Sequence, residues 1–94
     1  MVEVSKISIR RLVLDTLKPR EASLIELTKA LCEVPGIDEV DTVVTEVDAR
    51  TETVKVTIRG PDIDYEAAVK IINDHGTVIR SVDEVNVYKT SKPK

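Results

Sequence analysis

Ninety-four residues with a net charge of −3 describe one domain, and a chain of that length buries roughly 60 to 65% of its unfolded surface, enough for a single core without staples. One cysteine, Cys32, excludes an internal disulfide, and the lack of a long apolar run excludes a signal peptide or a membrane span, so a reducing, cytoplasmic setting is expected. The apolar set holds no Phe or Trp and only Tyr65 and Tyr88 as aromatics, which leaves an aliphatic core.

From Ile7 to Leu17 the run ISIRRLVLDTL is aliphatic and β-branched, without Gly or Pro, and predicts a long first strand ending at Lys18-Pro19. Ser23 followed by Glu26 has the spacing of a capping box and starts the first helix. Leu24, Leu27, Leu31 and Val34 recur at helical spacing, and Pro35-Gly36 stops that helix. Val40 to Val47 reads as a second strand. In the third, Val54, Val56 and Ile58 alternate with Thr53, Lys55, Thr57 and Arg59, the pattern of a strand buried on one side. The polar stretch 48–52 between them predicts a hairpin.

Gly60-Pro61 ends the third strand, and Asp62 or Asp64 caps a second helix whose apolar stripe is Tyr65, Ala68, Val69 and Ile72, up to His75-Gly76. A last strand spans about Thr77 to Tyr88, with Val82-Asp83-Glu84-Val85 breaking the alternation and suggesting a bulge. The ordered core is expected over about 6–89, with 90–94 a flexible basic tail. Right-handed crossovers and a central hairpin turn this order into an antiparallel sheet 4-1-3-2 with both helices on one face, the α+β ferredoxin-like βαββαβ plait.

That arrangement leaves one sheet face without helices. Depending on register, strand one offers it either Ile9, Val13 and Leu17 or Leu12 and Leu14. An oligomer face around Ile9, Val13, Lys55 and Thr57 is therefore expected, because uncovered aliphatic surface and unpaired edges both invite partners.

Reactive groups are sparse. His75 is the sole histidine and Cys32 the sole thiol, each near a helix end, so neither nucleophilic catalysis nor a soft-donor metal site is expected. Carboxylates gather at Asp38, Glu39 and Asp41, again at Asp62, Asp64 and Glu66, and at Asp83-Glu84. Helix-dipole and turn roles account for them; the sharper reading is a divalent cation such as calcium or magnesium, held at Asp38, Glu39 and Asp41 across a subunit interface. The three glycines lie singly and read as turn punctuation, not as a phosphate loop.

Charge is uneven. Residues 1–20 carry five basic and two acidic groups and 89–94 three lysines, while 21–88 hold fifteen acids against six bases. In the 4-1-3-2 order Lys6, Arg10 and Lys89 should converge, with Arg11 close to Glu84. Cross-strand pairing explains these residues; a ligand or anion site at Lys6, Arg10, Arg11 and Lys89 is the alternative. Nucleic-acid binding is disfavoured, because plait domains that bind RNA stack bases on aromatics of the inner strands, where Val, Thr, Lys and Arg stand here.

The segments Ile9-Arg10-Arg11-Leu12-Val13-Leu14-Asp15, Leu17-Lys18-Pro19, Ser23-Leu24-Ile25-Glu26-Leu27, Gly36-Ile37-Asp38-Glu39-Val40 and Gly76-Thr77-Val78-Ile79-Arg80-Ser81-Val82-Asp83-Glu84-Val85 resemble a small archaeal family of uncharacterised proteins, a domain of unknown function. The resemblance covers nearly the whole chain and implies a ferredoxin-like fold, an archaeal source and a homo-oligomer; it brings no activity and no catalytic residues. A looser similarity to heavy-metal-associated and amino-acid-binding regulatory domains rests on Pro35-Gly36-Ile37, and the first of these needs a cysteine pair that is missing. Acylphosphatases share the plait, but their phosphate loop departs here to Lys18-Pro19-Arg20-Glu21-Ala22. The expected function is thus a non-enzymatic oligomer whose subunit interfaces bind a small ligand or a divalent cation. A small hydrolase using Arg10, Arg11 or Arg20 on an acidic or phosphorylated substrate is the first alternative, a weak nucleic-acid-binding module the second.

Overall fold

The computed structural model describes residues 3–93, with side chains from 5 to 90. Its elements are β1 (Glu3–Pro19), α1 (Leu24–Cys32), β2 (Glu39–Val47), β3 (Thr51–Arg59), α2 (Tyr65–Asp74) and β4 (Val78–Pro93). The sheet is antiparallel in the order β2-β3-β1-β4, which is the expected 4-1-3-2 read from the other edge. The protein is a ferredoxin-like α+β plait.

Both helices start where the sequence places them. Ser23 Oγ accepts the Glu26 amide at 3.1 Å and Asp64 Oδ1 accepts the Ala67 amide at 3.1 Å, each satisfying a donor that the first turn leaves free. Of the two candidate caps for α2, Asp64 takes the role, while Asp62 turns toward β1 and pairs with Lys6 at 2.7 Å.

The core lies between the helices and one face of the sheet. Leu12 and Leu14 of β1, Val54, Val56 and Ile58 of β3, Leu27 and Leu31 of α1, and Ala68 and Ile72 of α2 are buried there. Full burial of each larger aliphatic contributes about 1.5–3 kcal/mol. The loops after α1 and after β3 close one end of this core by touching backbone to backbone. A Cβ on Gly36 would lie 1.8 Å from the carbonyl oxygen of Asp62, and one on Gly60 would lie 1.9 Å from that of Gly36. These two glycines do more than punctuate turns: each gives room for the other's loop, and Gly36 also has φ +86°.

β1 and β4 are far longer than the helices. Seventeen residues of strand extend about 56 Å, whereas helices of nine and ten residues extend only about 14–15 Å. The long axis of the molecule accordingly measures 60 Å against 22 and 17 Å for the other two. Residues 3–9 of β1 pair with 87–93 of β4 as a two-stranded ribbon that runs beyond the helices. The strand therefore continues through 90–93, which the sequence reading assigned to a flexible tail; residue 94 lies outside the described residues.

The register of β1 against β4 shifts at three places, leaving Arg10, Asp83 and Arg80 as the extra residues. The irregularity expected at 82–85 is thus present at Asp83. The extra residue Arg10 was not expected, and it resets the alternation of β1. Ile9 falls on the same face as Leu12, against the core, and not on the open face with Val13.

Candidate functional site

The open face of the sheet is a lattice of charges. In register, Arg11 of β1 stands opposite Arg59 of β3, a pairing of like charges that is unfavourable alone. Each is satisfied on its far side: Arg11 Nε reaches Glu84 Oε1 at 2.9 Å, and Arg59 reaches Asp41 at 2.7 Å and Glu39 at 3.7 Å. Asp15 stands opposite Lys55 and pairs with Arg80 at 3.1 Å. Val13, between Thr57 and Glu84 and flanked along β1 by Arg11 and Asp15, is only 3% exposed.

Of the oligomer-face set, Val13, Lys55 and Thr57 share this surface and Ile9 does not. The open face keeps isolated exposed aliphatics at Val43 and Val78, while a contiguous aliphatic stripe lies on the helix-bearing side of β4. Val82, Val85 and Val87 are 47%, 54% and 52% exposed, next to Ile9, Leu12 and Tyr65, with which Val82 and Val85 line an apolar groove. Ile7, at 67% exposure, continues the stripe along the ribbon.

The four basic residues proposed for an anion do not converge. Lys6 is engaged by Asp62, whose carboxyl is held below its ordinary value first by the hydrogen bond from Lys6 and then by one from Ser8. The same hydrogen bond holds the Lys6 ammonium above its ordinary value. Arg10 lies over the Tyr88 ring at 4.6 Å and Arg11 is paired with Glu84. Lys89 stands opposite Ile7, on the other face of the ribbon from Lys6 and Tyr88, and has no ion pair among the described residues. What Lys6, Ser8, Arg10 and Tyr88 build instead is an anchor for the loop after β3: Tyr88 donates its hydroxyl to the carbonyl of Pro61 at 2.7 Å, and the Ile63 and Gly60 amides donate to the carbonyls of Ile9 and Arg10.

Of the acids proposed for a cation, Glu39 and Asp41 flank the Arg59 guanidinium, while the Asp38 carbonyl accepts from the Cys32 thiol at 3.5 Å. No group of three or more His, Cys, Asp or Glu side chains among the described residues is arranged to hold a metal ion. Cys32 is exposed, and His75 donates Nδ1–H to the Ile71 carbonyl at 2.9 Å, tying its ring to the end of α2.

Sequence reasoning missed one charged residue altogether. Lys18, on the face of β1 shared by Leu12, Leu14 and Thr16, is 1% exposed. Its ammonium donates to the carbonyls of Pro19 and Ala22 and to Glu52 at 3.0 Å, so all three of its hydrogens have acceptors. The available signal was its even spacing from Leu12 and Leu14, which places it on the core side where β1 runs into the loop leading to α1.

A second shallow groove lies between the helices, lined by Ala30, Val34, Ala67 and Ile71 with Glu33 and Lys70 at its rim. Neither groove contains a nucleophile beside a base. No helix among the described residues is long and apolar enough to cross a membrane.

Comparison with known proteins places the chain in a family and adds no chemistry. The chain is 44% identical over 77 residues to a protein of Methanocaldococcus jannaschii, itself named only as uncharacterised, covering 82% of this chain and 79% of that one. The family model named DUF211, described as "Uncharacterized ArCR", matches residues 10–90. The chain therefore belongs to the DUF211 family of uncharacterised archaeal proteins.

Proposed function

We propose that this chain is a non-enzymatic assembly module whose copies join through β4. The observation that carries the reading is the outer edge of β4. It is the longer of the two edge strands, sixteen residues against nine for β2, and its apolar side chains are half-exposed. The other edge has the features that oppose pairing. β2 is short, shifts register between Val44 and Glu46, and carries Glu39, Asp41 and Glu46. From Glu84 onward β4 has neither an extra residue nor such an acidic run.

A two-stranded ribbon is marginal in water by itself, so added strands on its free edge would stabilise the half of the molecule that the helices do not cover. A small ligand or a divalent cation at the resulting seam is the second layer of this reading, and it has weaker support, because the paired acids of β2 are already occupied by Arg59.

Sedimentation velocity over a concentration series tests the assembly. A mass that is a multiple of 10.4 kDa is expected, and a monomer at every concentration would end the reading. Thermal melting against divalent cations, amino acids, nucleotides and phosphates tests the ligand, since whatever binds the folded assembly raises its melting temperature by mass action.

A further inference from the structure

The free edge of β4 also carries information about how a second copy would sit on it. In an antiparallel ladder, opposing residues point to the same face of the sheet. A two-fold axis between two copies of β4 must therefore pass through a residue position and not between two. Along the regular part of the strand, Val85 and Val87 face the helix side together with Lys89, while Glu84, Asn86 and Tyr88 face the other.

Each possible axis has a different consequence. An axis at Glu84 sets Asp83 against Val85, and one at Val85 sets Asp83 against Val87. One at Val87 sets Val85 against Lys89, and one at Tyr88 sets Val87 against Lys89. Only an axis at Asn86 matches Val85 with Val87 of the second copy on both sides of the axis, with Ile9 and Leu12 on the neighbouring strand behind them. The same axis brings Lys89 opposite Asp83. Neither residue has an ion pair among the described residues; Asp83 accepts only the Ser81 hydroxyl, at 2.6 Å.

We infer that the partner of the β4 edge is a second copy of this chain, paired antiparallel about a two-fold axis at Asn86, with Val85 packed on Val87 and Lys89 beside Asp83 across the seam. The inference rests on the assembly reading above and deepens it. Two four-stranded sheets become one continuous sheet, the apolar stripe of each copy meets its own image, and two complementary charge pairs flank the valines. An acidic or basic partner would meet only one of the two charges.

Cysteine trapping tests the register. In a Cys32→Ser background, Asn86→Cys places two thiols on the axis, where opposed Cα atoms lie about 4.5–5.5 Å apart, within the range of a disulfide. Rapid, quantitative dimer cross-linking on mild oxidation is expected. Thr90→Cys in the same background should not cross-link to itself, because its two copies lie about 27 Å apart in this register. Glu84→Cys mixed with Tyr88→Cys, which oppose each other on one face in this register, should form heterodimers.

Lys89→Glu should weaken association at least tenfold, and Asp83→Lys combined with Lys89→Glu should restore it. A chain that sediments as a dimer but does not cross-link through Asn86→Cys, or that cross-links through Thr90→Cys alone, overturns the register and leaves the assembly standing. A chain that stays monomeric overturns both.

Discussion

The two halves of the sheet are built on different terms. Where β1 runs from Leu12 to Lys18, each strand has a helix beneath it and a lattice of ion pairs above. Its inward side chains, including Leu14, Val54, Val56 and Thr16, are completely buried. Where β1 runs from Glu3 to Ile9, the same strand has only β4 beside it, Ile7 stands in solvent, and attachment to the rest rests on Lys6–Asp62, Tyr88 to Pro61, the Ile63 amide to the Ile9 carbonyl, and Ile9 against the edge of the core. One strand thus passes from a cooperative core to an exposed ribbon. Helix length, and not strand propensity, sets the boundary. A hydrogen-bonded ladder defines where a strand goes, but burial decides whether that strand is stable without company.

Perturbing the covered half should unfold the whole molecule. Gly60→Ala is expected to have the largest effect, about 3 kcal/mol or more, because its new methyl would have to displace the backbone of Gly36. Leu31→Ala should cost about 2–5 kcal/mol through lost burial and the cavity left behind. Both changes should appear as a lower midpoint in urea or heat, and a change below 1 kcal/mol for either would remove the case for a helix-centred core.

Lys18→Met comes next, at about 2–3 kcal/mol, since methionine matches the stem but leaves two carbonyls and Glu52 without their donor. An unchanged or raised stability would mean that the ammonium is not a structural staple.

Perturbing the ribbon should instead act locally. Tyr88→Phe removes one hydrogen bond to Pro61, worth about 1 kcal/mol, and should speed amide exchange along Lys6–Ile9 while the helix amides keep their protection. Uniform loss of protection would show that the two halves are a single cooperative unit.

The Lys6–Asp62 contact gives the smallest and most selective effect. Asp62 is held below its ordinary value of 3.8 and Lys6 above its ordinary 10.5. A lowered carboxyl contributes stability that is present above its unfolded value and lost as pH falls through the folded one. A raised ammonium contributes stability that is present below its unfolded value and lost as pH rises through the folded one. The anchor should therefore persist between these limits and release outside them, which NMR titration of the Asp62 side chain and of the Ser8 amide would reveal. Release near neutral pH would contradict the assignment.

Much of this molecule was legible in the residues. Ser23 and the Asp62/Asp64 alternative located both helix starts, the strict alternation of Val54, Val56 and Ile58 fixed the buried face of β3, and the broken pattern at 82–85 marked an irregularity that exists at Asp83. Arg11 close to Glu84 also follows from the topology, although the pair is diagonal, with Arg11 opposite Asn86. The candidate site was less legible. Alternation carried straight through Arg10 puts Ile9 with Val13, but a single extra residue there reverses the face of everything N-terminal to it. Strand order alone brings Lys6 and Lys89 together, but the pleat turns them to opposite faces of the ribbon. Gly36 and Gly60 looked like separate turns because nothing in a linear string shows that two loops, twenty-four positions apart, touch through their backbones.

The amino-acid sequence by itself determined the kinds and order of the elements, the aliphatic character of the core and the poverty of reactive groups, because caps, periodicity and composition act over a few neighbouring residues. Only the tertiary structure decided which aliphatic side chains remain in solvent, which acids each arginine meets, and that β1 and β4 outrun their helices as a ribbon. Those outcomes depend on register shifts and on distances between segments far apart in the chain, and no local preference encodes either.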